Sequence, residues 1–291
     1  MKILIVGASG LVGSNTLRYF KANNLNVVGT HYSFETNQTV YFNTLQLDQA
    51  ENFDVHEFKP NVIIHCGALT HVDYCEDHVE ESYEKTVQST KNLLEIAQEL
   101  NAKFVYISTD YVFDGKKGLY QEEDKTNPLS TYGHHKLEAE LAVKQAKVSH
   151  LIVRVAKVFG HEKRDKNFVA RLAKTIEETG EIKWKAFTDQ YTTAVDAWDI
   201  AKALYLLLIT DKTGVYHLGY GENMNAYDIT MKVVNHFSNV NATIDQITKS
   251  DFKQTADRPQ KGGLSNEKFL AEFPGFQFKT IENYLTERSA S

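Results

Sequence analysis

Ile3-Leu4-Ile5-Val6-Gly7-Ala8-Ser9-Gly10-Leu11-Val12-Gly13 opens the chain, and its reading decides the fold. Four apolar residues in a row, stopped by a glycine, have the bounds of a buried strand. Leu11 to Asn23 then carries helical spacing. Between them the glycines are spaced G-x-x-G-x-x-G. Gly7 suits a tight turn, Gly10 lets the backbone approach a pyrophosphate, and Gly13 lets the helix pack near the strand. The free N–H groups of the helix start would face that anion, with Ser9, Leu11 and Val12 beside it. A tight turn without a ligand is the bland alternative. A strand before the glycines and a helix after them are the context that a dinucleotide requires.

Outward from this loop, strand-like and helix-like segments alternate. Val27–Gly29, Val62–His65, Phe104–Ile107 and Leu151–Val155 are short apolar runs. Glu80–Leu100 reads as one long helix and Pro128–Lys147 as another. Alternation of this kind, closed by right-handed crossovers, gives an α/β fold: a doubly wound parallel sheet of Rossmann type. The second half is less regular, with helices expected over Asn167–Thr179 and Val195–Ile209 and a strand over Gly214–Leu218. The expected division is a dinucleotide-binding domain over 1–158, with a return contribution from about 189–218. A smaller C-terminal substrate-binding lobe takes 159–188 and 219–291. Ligands of such sheets lie at the carboxyl ends of the strands, so the residues just after Val6, Val28, His65, Ile107 and Val155 carry the interest.

The 291 residues suffice for a full hydrophobic core. A net charge of −6 without a basic block argues against nucleic-acid binding. No window approaches a membrane span, and the N-terminus reads as a strand instead of a leader. Two cysteines, Cys66 and Cys75, are too few for a disulfide framework, so a reducing, cytoplasmic setting is expected. Neither cysteine has a nucleophile's sequence pattern. His71, Asp73, Cys75 and His78 are read as a polar loop in preference to a metal site, and no metal is expected.

An acidic residue about 20 positions after the glycine loop would hold the adenosine ribose of NAD. Here Thr30-His31-Tyr32-Ser33 ends the second strand and Glu35 lies too far on. Without that acid a ribose 2′-phosphate is not repelled, and His31 or Ser33 has hydrogen bonds to offer it. The expectation leans to NADP over NAD, although no Arg is at hand in the local sequence.

Tyr132-Gly133-His134-His135-Lys136 starts the Pro128 helix. Residues four apart share a helical face, and an ammonium beside a phenol favours the phenolate. The pair suits general acid–base work near neutral pH. One such pair is about what chance supplies, and a surface Tyr with a solvated Lys is the alternative. Ser108-Thr109-Asp110 ends the apolar run Phe104–Ile107, which puts the Thr109 hydroxyl at the same sheet edge. Alone it would read as a strand-end cap; the three groups together suit ketone reduction.

Longer strings carry a resemblance. Ser108-Thr109-Asp110-Tyr111-Val112-Phe113-Asp114-Gly115 and Pro128-Leu129-Ser130-Thr131-Tyr132-Gly133, followed by Lys136, Leu137 and Glu140, resemble the extended short-chain dehydrogenase/reductase family, in particular its dTDP-4-dehydrorhamnose reductases. Asp189-Gln190, Gly214-Val215-Tyr216-His217-Leu218 and Arg258-Pro259 are similar too. The resemblance covers about residues 1 to 270. It implies reduction of a keto group on a nucleotide-linked sugar by NADPH or NADH. Tyr132 would protonate the developing alkoxide, Lys136 would hold the nicotinamide ribose, and Thr109 would position the carbonyl. It also implies Asp48, at the end of a short strand, near the adenine, and Gly67-Ala68-Leu69 behind the nicotinamide ribose. Asp110, Tyr111, Asn167 and Arg258 would lie against the sugar nucleotide, and a homodimer is the family-level expectation for assembly.

Three positions depart from that pattern. Val155-Ala156-Lys157 stands where a hydroxyl residue and then Trp are usual at the last two places, so Lys157 puts a positive charge near the sugar. Thr86 lies where a helix usually carries Asn, and Ala194 where Pro is usual. An epimerase or dehydratase sharing Tyr132 and Lys136 is one alternative. The other is a non-catalytic dinucleotide-binding subunit, since the regulatory subunit of methionine adenosyltransferase resembles the same reductases.

Overall fold

The structure, a computed structural model, describes residues 1–252 and 254–290. β1 (Lys2–Val6) runs through the glycine loop into α1 (Leu11–Ala22), and β2 (Asn26–His31) follows. Next come β3 (Thr39–Tyr41), the short α2 (Val55–Phe58) and β4 (Val62–His65). α3 (Val72–Asp77) and α4 (Val79–Tyr83) lead into a π-helical turn, Glu84–Gln88, and then α5 (Ser89–Glu99). β5 (Lys103–Thr109) ends in a 3-10 turn, Asp110–Val112, ahead of α6 (Thr131–Gln145) and β6 (His150–Val155). The rest comprises β7 (Lys157–Phe159), α7 (Phe168–Thr179), β8 (Glu181–Phe187), β9 (Tyr191–Asp196), α8 (Ala197–Ile209), β10 (Gly214–Leu218), β11 (Tyr220–Asn225), α9 (Ala226–His236), β12 (Asn241–Ile247), α10 (Glu267–Glu272) and α11 (Ile281–Ser289).

Seven strands form one parallel sheet in the order β10-β6-β5-β4-β1-β2-β3. Strand order reverses between β1 and β4, so the crevice outside their carboxyl ends is the expected ligand position. Alternate residues of β1 feed the two faces. Ile3 and Ile5 join a core with Leu17, Phe20, Leu204 and Leu207 of α1 and α8. Leu4 and Val6 join another with Leu93, Ala97 and Val143 of α5 and α6. That two-sided burial explains the continuous apolar runs.

A three-stranded sheet, β11-β9-β7, and a parallel pair, β12-β8, build the smaller lobe with α7, α9 and α11. The division of the chain differs from the sequence reading in two places. β9 begins the expected helix at Val195 as a strand and pairs with β7 and β11 in the lobe, so the return to the large sheet is α8 and β10. Phe269, Phe273, Phe276 and Phe278, from the expected lobe, pack against the core of the large sheet. The expected Glu80–Leu100 helix is interrupted by the π turn, which holds Thr86.

Candidate functional site

The glycine loop sits in the crevice at the switch point. Gly7 has φ +79°, and a Cβ there would lie 2.8 Å from the Gly67 nitrogen. A Cβ on Gly13 would come within 2.4 Å of the Gly7 carbonyl oxygen. The loops after β1 and β4 are therefore pressed together, and glycine is required for it. Gly10 caps α1 without a side-chain hydrogen bond, and no acidic residue occupies the first turn. The N–H groups of Leu11 and Val12 stay available for an anion, next to the half-exposed Ser9. This cradle fits a dinucleotide pyrophosphate. Gly67, Ala68 and Leu69 form the facing loop, all half-buried.

Two residues expected at the adenosine end are placed differently. Asp48 lies in an exposed turn well beyond β3, which ends at Tyr41, and not at a strand end. His31 is buried, with Nδ1 2.9 Å from the Thr39 hydroxyl, whereas Ser33 is exposed. Cations do lie beside the glycine loop. A cavity of about 270 Å³ beside the loop is lined by Ala8, Ser14, Arg18, Asn37 and Lys163. Asn15 holds the loop after β7 there by donating to the His161 carbonyl at 2.9 Å, and Arg164 lies 4.6 Å from the Phe34 ring. Lys163 gave no local signal because it lies about 130 residues from the β2 end, and Arg18 was overlooked because it lies on α1 ahead of that strand.

Thr109, Tyr132 and Lys136 converge at the end of β5. Ser130 caps α6, its Oγ accepting from the Gly133 N–H at 3.2 Å. A Cβ on Gly133 would lie 2.4 Å from the Tyr111 carbonyl oxygen, so the glycine after Tyr132 lets the helix start close on the 3-10 turn. Lys136 Nζ donates to the Ile107 carbonyl at 2.7 Å and lies 4.0 Å from the Tyr106 ring centroid. Tyr132 is buried, edge-on to Tyr111 at 5.6 Å. The Thr109 hydroxyl accepts from the Tyr111 N–H at 3.2 Å and donates to Asp110 at 3.3 Å.

The electrostatics correct one expectation. The Tyr132 phenol does not lie below its ordinary range here: burial holds it well above, with hydrogen bonding to Thr109 working the other way. Lys136 is itself pushed down to about 7 by burial, against the opposing pull of Glu140 and Cys66. Burial raises Asp110 to about 6. It raises Cys66 to about 12, which keeps that thiol protonated.

The other expected sugar contacts are partly engaged in holding structure. Asn167 caps α7, its Oδ1 accepting from Ala170 at 3.0 Å and its Nδ2 donating to Gly160 at 3.0 Å. Arg258 grips Asp73 with two hydrogen bonds and also touches Tyr111. Lys157 lies 4.5 Å from the Phe168 ring centroid. Thr86 is buried, and its hydroxyl has no hydrogen-bond partner among the described residues. His71 caps α3 through the Tyr74 N–H, and His78 stacks on Tyr74 at 3.7 Å, so each does structural work. Among the described residues no cluster of three or more His, Cys, Asp or Glu is arranged to hold a metal, and no helix is long and apolar enough to cross a membrane.

Known proteins share this architecture. The chain is 30% identical over 255 residues to the methionine adenosyltransferase 2 subunit beta of Xenopus tropicalis, covering 85% of this chain and 75% of that one. A dTDP-4-dehydrorhamnose reductase from Clostridium acetobutylicum superposes with a TM-score of 0.83 at 29% identity, covering 99% and 98% of the two chains. The dTDP-4-dehydrorhamnose reductase of Bacillus anthracis, solved in complex with NADP, gives 0.83 at 25% identity with the same coverage. The family model described as the RmlD substrate binding domain matches residues 1–288, and the chain belongs to that family.

Proposed function

We propose that the protein reduces a keto group on a nucleotide-linked sugar with a nicotinamide dinucleotide, NADPH in preference to NADH. The observation that carries this is the placement of Tyr132 and Lys136 on one face of α6, over the end of β5, where Thr109 stands beside the glycine crevice. Gly7, Gly10, Gly13, Leu11 and Val12 would hold the pyrophosphate, and Gly67–Leu69 would flank the nicotinamide ribose. When bound, the cofactor supplies the hydride. Tyr132 supplies the proton: its buried, protonated phenol donates to the carbonyl oxygen as negative charge develops there. Thr109 donates to the same oxygen and fixes the carbonyl in place. Lys136, anchored on the Ile107 carbonyl, offers its remaining N–H groups to ribose hydroxyls. Arg18 and Lys163, which line the cavity beside the loop, support the lean to NADP, since a 2′-phosphate seeks such partners.

The test is cofactor oxidation, followed by absorbance, with NADPH or NADH and a panel of enzymatically generated nucleotide-4-keto sugars. Oxidation that requires both the sugar and Tyr132 is the expected result. No oxidation across the panel, with cofactor bound, overturns the reading.

Two further readings stay in view. Turnover of a nucleotide sugar without net NAD(P)H consumption would mark an epimerase or dehydratase. A subunit role is favoured by Thr86 in the place of the usual Asn and by the adenosyltransferase relatives. Co-elution with a methionine adenosyltransferase catalytic subunit, without turnover of any sugar, would establish that role.

A further inference from the structure

Among the described residues Lys157 forms no ion pair, and Asp110 acts on it only at longer range. β5 and β6 pair with Thr109 opposite Val155, so Lys157 stands two residues past the strand end that faces the Thr109 hydroxyl. It then opens β7, whose backbone is fixed by pairing with Ala194. Its side chain is held against Phe168, the first residue of α7, 4.5 Å from the ring centroid. A lysine gains nothing electrostatically from a helix N-terminus, which carries the positive end of the helix dipole. Arg171, one turn further on, and Arg258 add like charge, and Asp110 supplies the opposing pull. Among the described residues no carboxylate comes within ion-pair distance of Lys157. Asp110, the carboxylate that acts on it, is committed to Thr109, Thr192 and the Gly263 N–H.

A half-buried ammonium held against an aromatic ring with no ion pair is costly, and proteins keep such groups where a ligand completes them. We infer that the sugar taken by this site carries a carboxylate, which Lys157 binds, so that the substrate class is an acidic nucleotide sugar. The inference rests on the nucleotide-sugar reading above. It makes Lys157 a specificity-determining residue: it acts on the sugar's substituent, while Thr109 and Tyr132 act on its carbonyl. Burial and the neighbouring cations Arg171 and Arg258 bring the ammonium down to about 8, with Asp110 opposing. The preference for an acidic sugar is therefore strongest below that pH and fades above it as the proton is lost.

The experiment is calorimetric binding to cofactor-loaded protein of two pairs of probes: UDP-glucose with UDP-glucuronate, and dTDP-glucose with dTDP-glucuronate. Within a pair the ligands differ in charge at one carbon. At pH 7 the glucuronate is expected to bind at least tenfold more tightly, with the advantage fading between pH 7 and 9. In Lys157→Met the two members of a pair should bind within about twofold of each other, and in Lys157→Arg the glucuronate should keep its advantage. Equal binding of both members by the unaltered protein, or an advantage that survives Lys157→Met, overturns the inference and leaves the nucleotide-sugar reading standing. Failure of all four probes to bind overturns both.

Discussion

Arg258 of the C-terminal segment holds Asp73, from the start of α3, through two parallel hydrogen bonds of 3.0 and 2.7 Å. The same carboxylate accepts from the Ala256 N–H at 3.0 Å, and Arg258 lowers its proton affinity. This ion pair ties the start of the 254–264 segment to α3, while further along Lys261 and Gly263 donate to the Gly115 carbonyl and to Asp110. Lysine lacks the planar fork that makes this contact. In Arg258→Lys, exchange of the Ala256 amide hydrogen should quicken by about tenfold, which corresponds to about 1.4 kcal/mol of lost local protection. Unchanged exchange would show that the segment is held by other contacts.

Tyr132 is buried and protonated, with Thr109 as its hydrogen-bond neighbour. Tyr132→Phe removes the proton and leaves the ring. The proposed reduction should lose a factor of about 10² to 10⁴ in kcat, with cofactor affinity unchanged. Single-turnover kinetics and fluorescence titration of NADPH measure the two. A variant that turns over normally excludes Tyr132 as the acid.

Asp110 offers a pH test on the ligand-free protein. Burial raises its folded value to about 6 from the ordinary 3.8. A raised carboxyl contributes stability that is present below about pH 4 and lost as pH climbs through 6. Asp110→Asn lacks this loss. Between pH 4 and 6 its stability should gain on the unaltered protein by up to about 3 kcal/mol, then hold level. Urea midpoints across that range read the difference, and parallel curves would contradict it.

Arg154 and Glu140 form a fully buried bidentate pair, with contacts of 2.8 and 2.7 Å. Arg154→Met strands the carboxylate and should cost about 3–5 kcal/mol. Adding Glu140→Leu should restore part of that, because the uncompensated charge is then gone. A double variant no more stable than Arg154→Met would contradict the account.

At Gly13 a methyl group would meet the Gly7 carbonyl at 2.4 Å. Gly13→Ala should destabilise the fold by about 1–3 kcal/mol and weaken NADPH binding together, since the same loop must move in both cases. Loss of stability without loss of binding would separate Gly13 from the cofactor cradle.

The large sheet was legible because its strands are buried on both faces and read as unbroken apolar runs. Ile3–Val6 and Val62–His65 need no context to be recognised. Val195 misled because strand β9 and helix α8 abut at Asp196, whose side chain caps Trp198 at 2.6 Å; the apolar pattern crosses that cap without a break. Thr109, Tyr132 and Lys136 come together at the end of β5, a convergence that a strand end and a helical spacing of four could suggest, and Gly133 explains why the helix starts so close to β5. The environment of Tyr132 was not readable, because desolvation depends on groups distant in sequence. Nor was the approach of Lys163 to the glycine loop, since it comes from the loop after β7 that Asn15 holds through His161.

The chain crosses between its two parts repeatedly: outward after Val155, back at Ala197, outward after Leu218, back by Phe269 and outward again at Ile281. No single cut separates a portable nucleotide-binding module from a portable recognition module. A fragment ending at 158 would lack the edge strand β10, and it would expose the side chains that α8 and Phe269 cover. New specificity in such a molecule cannot come from exchanging a whole lobe. It must come from substitutions at the seam, where single residues such as Lys157 stand.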